Sequence, residues 1–473
     1  MAKDVRVPMR RWVLAISVVA LLASPGVAVA ATIKVTTTDD ELVKDGDCSL
    51  REAMISANNN VGRDACKKGE GRGKTDVVKL ANVEYTLSLT GSEDENLTGD
   101  LDYMGGGKLT ILGAAADTEI DAGPSGDRVI HADENAKALR IERVALEDGS
   151  AGDGGLIHVR AGSLVLDRVM LTNGKAATLG GGLYFDSDGS FKIKRSDFIA
   201  SVARGGGGIY ADAGEPSLVS KSTFVLNRAQ DGASRGGGAW FAGEAVDVVD
   251  STFTKNDTTA PVGGASFGAG IFGEDVRVAR SLFDGNEAEE MTESVPAVGG
   301  AMLVTGDSSV TNSTFYDNSS ADTGGGFAGE GKLSHVTFLL NQADDAGDHI
   351  SSSSGDGIVL RNSILPGAAI AVDVCAGDDV VSKGFNVFTY DDFGCGTLDS
   401  DVTNGGNAGL APGEPVDNGG PTETIALTAD SIAKDLIPKS KCKSAKGVDQ
   451  RGFKRPKGPR CDAGSFERGA QPE

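Results

Sequence analysis

A two-part motif recurs along most of the chain, at a spacing that suits one coil of strands. Its first part is a glycine-led strand start: GGLI (154–157), GGLY (181–184), GGIY (207–210), GGAW (237–240), GAGIF (268–272) and GGAM (299–302). Its second part alternates with the first, as SDFIAS, STFVLN, STFTKN, SLFDGN, STFYDN and VTFLLN. The apolar anchors of this part are Val144, Val169, Phe198, Phe224, Phe253, Phe283, Phe315, Phe338 and Ile364, at intervals of 23 to 32 residues. Five residues before each anchor the chain is aliphatic in every unit, at Leu139, Leu164, Ile193, Val219, Val248, Val278, Val310, Leu333 and Val359. Three before it, the later units carry Arg195, Lys221, Asp250, Arg280, Asn312, His335 and Arg361. Apolar, polar corner, apolar describes two short strands that meet at a bend and face one interior. Asn173, Asn227, Asn256, Asn286, Asn318 and Asn341 stand three residues after Phe or Met. Asn tolerates left-handed backbone and bonds neighbouring backbone groups, so a stacked asparagine ladder is expected at one corner. A period of about 27 residues of strand and turn is one coil of a parallel β-helix, whereas a propeller blade takes about 40–50 residues. The expected fold is all-β, a parallel β-helix over residues 71–400.

The chain ends read differently. Residues 1–30 pair Lys3, Arg6, Arg10 and Arg11 with the apolar run WVLAISVVALLA and a small-residue AVA before Ala31. That is the layout of a secretory signal peptide, and no later apolar run reaches membrane length. In GDCSLREAMISANNN (46–60), Ser49 and Glu52 form an S-x-x-E capping box, and Leu50, Ala53, Met54 and Ala57 follow at helical spacing. This helix, within a cap over 31–70, would cover the open end of the coil and its unpaired strand edges. Six cysteines fall into local pairs, Cys48/Cys66, Cys375/Cys395 and Cys442/Cys461. In an exported chain they read as three disulfides closing loops of roughly 20 residues, each stabilising by about 3 kcal/mol. None has the C-x-x-C spacing of zinc or redox sites. Cys48 has no histidine near it in sequence, so a fastening role is expected rather than nucleophilic chemistry. A closing cap spans 401–467, and 468–473 is expected to be a disordered tail. Asp449, Arg451, Arg455, Asp462 and Glu467 are expected to lock the C-terminal segment across the last coil, helped by Cys442–Cys461.

These ends also carry a resemblance. DGDCSLREAMISANNN resembles the CSLREA-motif module of exported bacterial proteins, and TGDLDYMGGGKLTILGAAADTEIDAG is similar to their first coils. The GGA-aliphatic and F-x-x-N repeats resemble those of the polymorphic outer-membrane protein group. DNGGPTETIALTADS, VDQRGFKRP and CDAGSFE look like the closing module called choice-of-anchor Q. The resemblance implies export and a β-helix, and it implies no particular activity. The right hand of the helix rests on likeness to known pectate-lyase-like solenoids. Unlike the outer-membrane group, this chain shows no alternating barrel strands after residue 400.

The formal net charge is −23, and loss of the leader, with four positive charges and one negative, takes it to about −26. Such a surface repels nucleic acid, and it repels acidic polysaccharides unless cations bridge them. The histidines, His131, His158, His335 and His349, are scattered, and His335 is expected at a solvated corner. The adjacent acids Asp344-Asp345, Asp378-Asp379 and Asp391-Asp392 point to opposite sides of a strand and make poor catalytic dyads. No cofactor is required by any motif. Calcium has one candidate position, Asp186 and Asp188 in FDSDGS, without the remaining ligands of a calcium loop. Binding has one candidate surface. If alternation sends Leu183, Ile209, Ala239 and Ile271 inward, then Tyr184, Tyr210, Trp240 and Phe272 form an outer column on which sugar rings or a partner can stack. The function expected is that of an exported, non-enzymatic surface or secreted protein, adhesin-like and binding an extracellular glycan or matrix component, or held in the periplasm. The alternatives are a polysaccharide lyase or hydrolase acting on the outer face, and a structural surface protein.

Overall fold

The computed structural model describes residues 30–471 apart from 72, 116–117, 262–263, 291–295, 353–354, 368–372, 378, 390–393, 404–407 and 443–446. The leader, Asp378, Asp391 and Asp392 therefore lie outside the described residues. The rest is a parallel β-solenoid. One coil shows the plan: strands Ile271–Glu274, Val276–Ala279, Leu282–Asp284, Glu287–Glu290 and Ala297–Val298 run in turn around the axis. Each strand pairs in parallel with its counterparts one coil before and after. Stacking builds a long sheet of 23 strands bent at a corner, a second of 11, a third of 8 and a short one of 3.

The bend is made by a single left-handed residue per coil, at Arg168, Arg195, Lys221, Asp250, Arg280, Asn312, His335 and Asn362. Inward from it, Ile193, Val219, Val248, Val278 and Val310 stand in register and are buried. Past the bend, Phe198, Phe224, Phe253, Phe283, Phe315 and Phe338 stack face to face, with ring centroids 4.4 to 5.1 Å apart.

Pairing corrects the expected register at both ends. Leu171, not Val169, aligns with Phe198, and Leu146 precedes it. At the far end Leu365 follows Phe338, since Thr337 pairs with Ile364. The aliphatic row shifts equally, to Ile141, Leu166 and Leu360, and the corner to Asn362 rather than Arg361. In the early coils both Val169 and Leu171 are buried, so a period of two fits either choice.

The asparagine ladder comprises Asn227, Asn256, Asn286, Asn318 and Asn341. Each Nδ2 donates to a phenylalanine carbonyl of the preceding coil, and from Asn227 to Asn318 it also donates to the Oδ1 of the next asparagine. Asn173 is not a rung. It occupies the left-handed position one residue earlier, half-exposed, while Gly174 and Ser201 hold the ladder positions. A second ladder stands on the other side of the phenylalanine stack. The buried Ser196, Ser222, Ser251, Ser281 and Ser313 each accept a backbone N–H from the coil before and donate to a carbonyl two residues back. Backbone groups at both bends are thereby satisfied away from water.

Helix α1, Leu50–Asn59, begins with the capping box of Ser49 and Glu52 and packs against the first strands of the solenoid, including Leu101–Tyr103. Cys48–Cys66 fastens it. Arg51, for which the sequence suggests no partner, is fully buried. Its guanidinium donates to both oxygens of Asp40, at 2.7 and 3.1 Å, and to the carbonyls of Thr98, Gly99 and Asp100. Cys375–Cys395 and Cys442–Cys461 complete the three local disulfides.

The C-terminal segment does not merely cross the last coil. It runs back along the outer side of the bend, where Thr422 donates to the Arg280 carbonyl, Thr314 to Gln450, and the Ser465 N–H to Thr337. That cover buries outward positions such as Leu282, Thr314, Thr337 and Ile364. It also corrects the expectation for His335, which is fully buried rather than solvated, its Nδ1 3.1 Å from Ser334 Oγ. The segment is held by its own charged groups. Arg451 bonds Asp449 and the Glu467 carbonyl and lies over the Phe466 ring at 3.7 Å. Arg455 donates to the carbonyls of Val448, Asp462 and Gly464. At the tail, the Arg468 N–H donates to Asp462 and Ala470 is buried.

Candidate functional site: an aromatic column on the 11-stranded face

Ten strands of the 11-stranded sheet, all but Cys375–Ala376, follow a left-handed glycine among the described residues, as at Gly206 (φ +62°), where a Cβ would collide with the Ile209 carbonyl. Leaving this turn, the strand places Leu183, Ile209, Ala239 and Ile271 fully inside. Alternation sends their neighbours out. Tyr184, Tyr210, Trp240 and Phe272 pair in register on four successive coils and are half-exposed.

The column is longer than the sequence motif indicates. His158 pairs with Tyr184, and His131 with His158, so six rings follow one another. His131 and His158 stack at 5.1 Å, Tyr184 and Tyr210 at 5.3 Å, and Trp240 meets Tyr210 and Phe272 edge-on at 5.0 and 5.7 Å. At the strand spacing the row spans about 24 Å. His158 is legible in GGLIH, where Leu156 stands between the glycine pair and the Ile-His step, whereas His131 follows DRVI with no glycine pair before it.

The flanks of the column differ. On one side Arg235 lies 5.1 Å from the Trp240 ring and 5.3 Å from that of Phe272, a cation–π seat that fixes both rings. Gly205 leaves room beside the indole, since a Cβ there would come within 2.6 Å of Trp240 Cε3. Beyond the rings on the same strands stand Asp186 and Asp212, which pair in register. The Tyr184 hydroxyl donates to Asp186 Oδ2 at 3.1 Å. Burial, with Asp186 adding to it for Tyr184 and Asp212 for Tyr210, pushes both phenols above their usual range. They stay protonated donors at neutral pH.

Burial, with Arg128 adding to it, pushes His158 down to about 3, so its ring is neutral. The column ends among acids. Asp102 precedes His131 in register, and the segment around Glu93–Thr98 folds over it and seals it from solvent. Burial raises the Asp102 carboxyl, opposed by His131. Burial and the neighbouring Asp102 and Asp127 push Asp100 up to about 8. Among the described residues, Asp94, Asp102 and His131 are the group whose ligand-type atoms converge. The calcium candidates Asp186 and Asp188 are exposed and not part of it. His349 is buried under the phenylalanine stack, bonded to the Pro366 carbonyl, far along the chain from the column.

The fold and this face define a parallel β-solenoid with an outer aromatic strip. No family model matches the chain, and no curated protein matches it. Among solved structures it is similar to the crystal structure of pectate lyase Pel9A, with a TM-score of 0.43 and 13% identity over 94% of this chain and 98% of that one. Among the described residues no helix is long and apolar enough to cross a membrane.

Proposed function

We propose that this protein binds a polysaccharide along the aromatic column, as an exported adhesin-like or matrix-binding solenoid. The observation that carries the reading is the unbroken row of half-exposed rings from His131 to Phe272, edged by Asp186 and Asp212. Ring faces stack on the apolar faces of sugars, while phenols and carboxylates bond their hydroxyls. A net charge of −23 favours neutral glycans over polyanions that arrive without cations. Three disulfides, and the likeness of both chain ends to exported CSLREA and choice-of-anchor Q proteins, support a setting outside the cytoplasm.

The test is a panel of neutral and uronate oligosaccharides titrated against the chain from Ala31 onward, in which Trp240 is the single tryptophan. Saturable change in its emission is expected with a neutral glycan, and loss of that response in Tyr210→Ala. Silence across the panel overturns the reading. Release of unsaturated or reducing ends during the titration reassigns the face to a polysaccharide lyase or hydrolase.

A further inference from the structure

We propose that Asp94, Asp102 and His131 bind one divalent transition-metal cation of the manganese–zinc class, at the end of the aromatic column nearest helix α1. The three residues come from separate pieces of chain: a loop, the first strand of the 11-stranded sheet (Leu101–Tyr103), and the next strand (Ile130–Ala132). One ligand atom from each lies within 4.8 Å of the others. His131 Nδ1 is 3.1 Å from Asp102 Oδ1 and 3.6 Å from Asp94 Oδ1, so a nitrogen and two carboxylate oxygens face a common point.

A second observation points to a ligand. Asp102 is fully buried, yet its Oδ2 has no hydrogen-bond partner among the described residues. A sealed carboxylate oxygen without donor or cation is unstable in a protein interior. The nearby cation Arg128 does not serve it, reaching Asp100 instead at 3.4 Å. Glu93 is also engaged elsewhere, accepting the N–H groups of Glu95, Leu97 and Thr98. Asn96 holds the backbone of Asp102 from both sides, donating to its carbonyl and accepting its N–H. Asp94 is 70% exposed, which leaves the outer coordination positions open to water. Calcium and magnesium take oxygen donors, and an imidazole nitrogen in the set selects for manganese, zinc and their neighbours.

The test uses the exported chain stripped with chelator, titrated calorimetrically with manganese chloride and zinc chloride, with calcium chloride as competitor. Manganese binding is read independently by its electron paramagnetic resonance. One cation per chain is expected, with a rise in melting temperature, and both are lost in His131→Gln and Asp102→Asn. Because Asp102 is buried, Asp94→Ala is the variant that keeps the fold, and it is expected to melt like the metal-free protein while losing the cation. No uptake at millimolar metal overturns the proposal. So does uptake unchanged by Asp94→Ala and His131→Gln, or displacement by equimolar calcium. The site stands or falls independently of glycan binding, which the oligosaccharide titration in chelator reads separately.

Discussion

Replacing Asn256 by Ala removes a rung from the middle of a buried ladder. Its Nδ2 donates to the Phe224 carbonyl and to Asn286 Oδ1, both at 2.9 Å, and its Oδ1 accepts the Asn227 N–H at 3.1 Å and the Asn227 Nδ2 at 3.0 Å. Asn286 Oδ1 keeps the Asn256 N–H, and Asn227 Nδ2 keeps the Phe198 carbonyl. The groups left short in a fully buried site are the Asn227 N–H, one Asn227 amide hydrogen and the second lone pair of Phe224. At about 1–3 kcal/mol for each unsatisfied buried donor, the cost is about 3–5 kcal/mol. Asn173→Ala is the control, because that side chain stands half-exposed outside the ladder; its left-handed backbone alone should make it cost about 1 kcal/mol. The assay is urea unfolding followed by Trp240 emission and by circular dichroism, since a solenoid need not unfold as one unit. Equal costs for the two variants would refute the ladder as a source of stability.

Arg51→Met takes the guanidinium from Asp40 and from three carbonyls and leaves the carboxylate without its cation, held by the N–H groups of Ser88 and Leu89; a loss of about 3 kcal/mol is expected, read by the same unfolding curves. Burial pushes Glu467 up to about 7, against Arg455 and the N–H groups of Lys457 and Asp462, with Asp462 reinforcing the rise. A carboxyl raised on folding contributes stability that is full below its unfolded value near 4.5 and is lost as pH rises through 7. Wild type should therefore lose on the order of 3 kcal/mol relative to Glu467→Gln between pH 4.5 and 7.5; parallel stability profiles would show that the carboxyl is ionised throughout.

What the sequence makes legible follows from what repeats. The phenylalanine stack, the glycine turns and five of the six asparagines recur at fixed offsets, so period alone places them. The S-x-F triplets also carry the serine ladder, whose recurrence is as regular as that of the asparagines. Register failed where the motif thins. Ala138–Glu147 and Leu164–Thr172 are long strands with two buried apolar positions after the bend, and alternation cannot choose between Val169 and Leu171. Asn173 joins the expected ladder by counting from Met170, one residue before the true anchor Leu171. His335 departs from its expected solvated corner for another reason. Its burial comes from a segment more than 80 residues later folding back over the bend, a contact that no local pattern encodes. The Asp94–Asp102–His131 group was invisible for the same cause, since it depends on a non-repeating loop laid over the first rung. The aromatic column is legible in its last four rings, because they follow the glycine turns at constant spacing.

The central claim is that this column holds an extended sugar chain, and the dependence of affinity on oligosaccharide length tests it most directly. With Trp240 emission as the readout, affinity should climb with each added sugar until the ligand spans the strip of about 24 Å and then level off, and Tyr184→Ala, which interrupts the column between His158 and Tyr210, should shorten the length at which it levels. Affinity independent of length, or an unchanged profile in Tyr184→Ala, would contradict it.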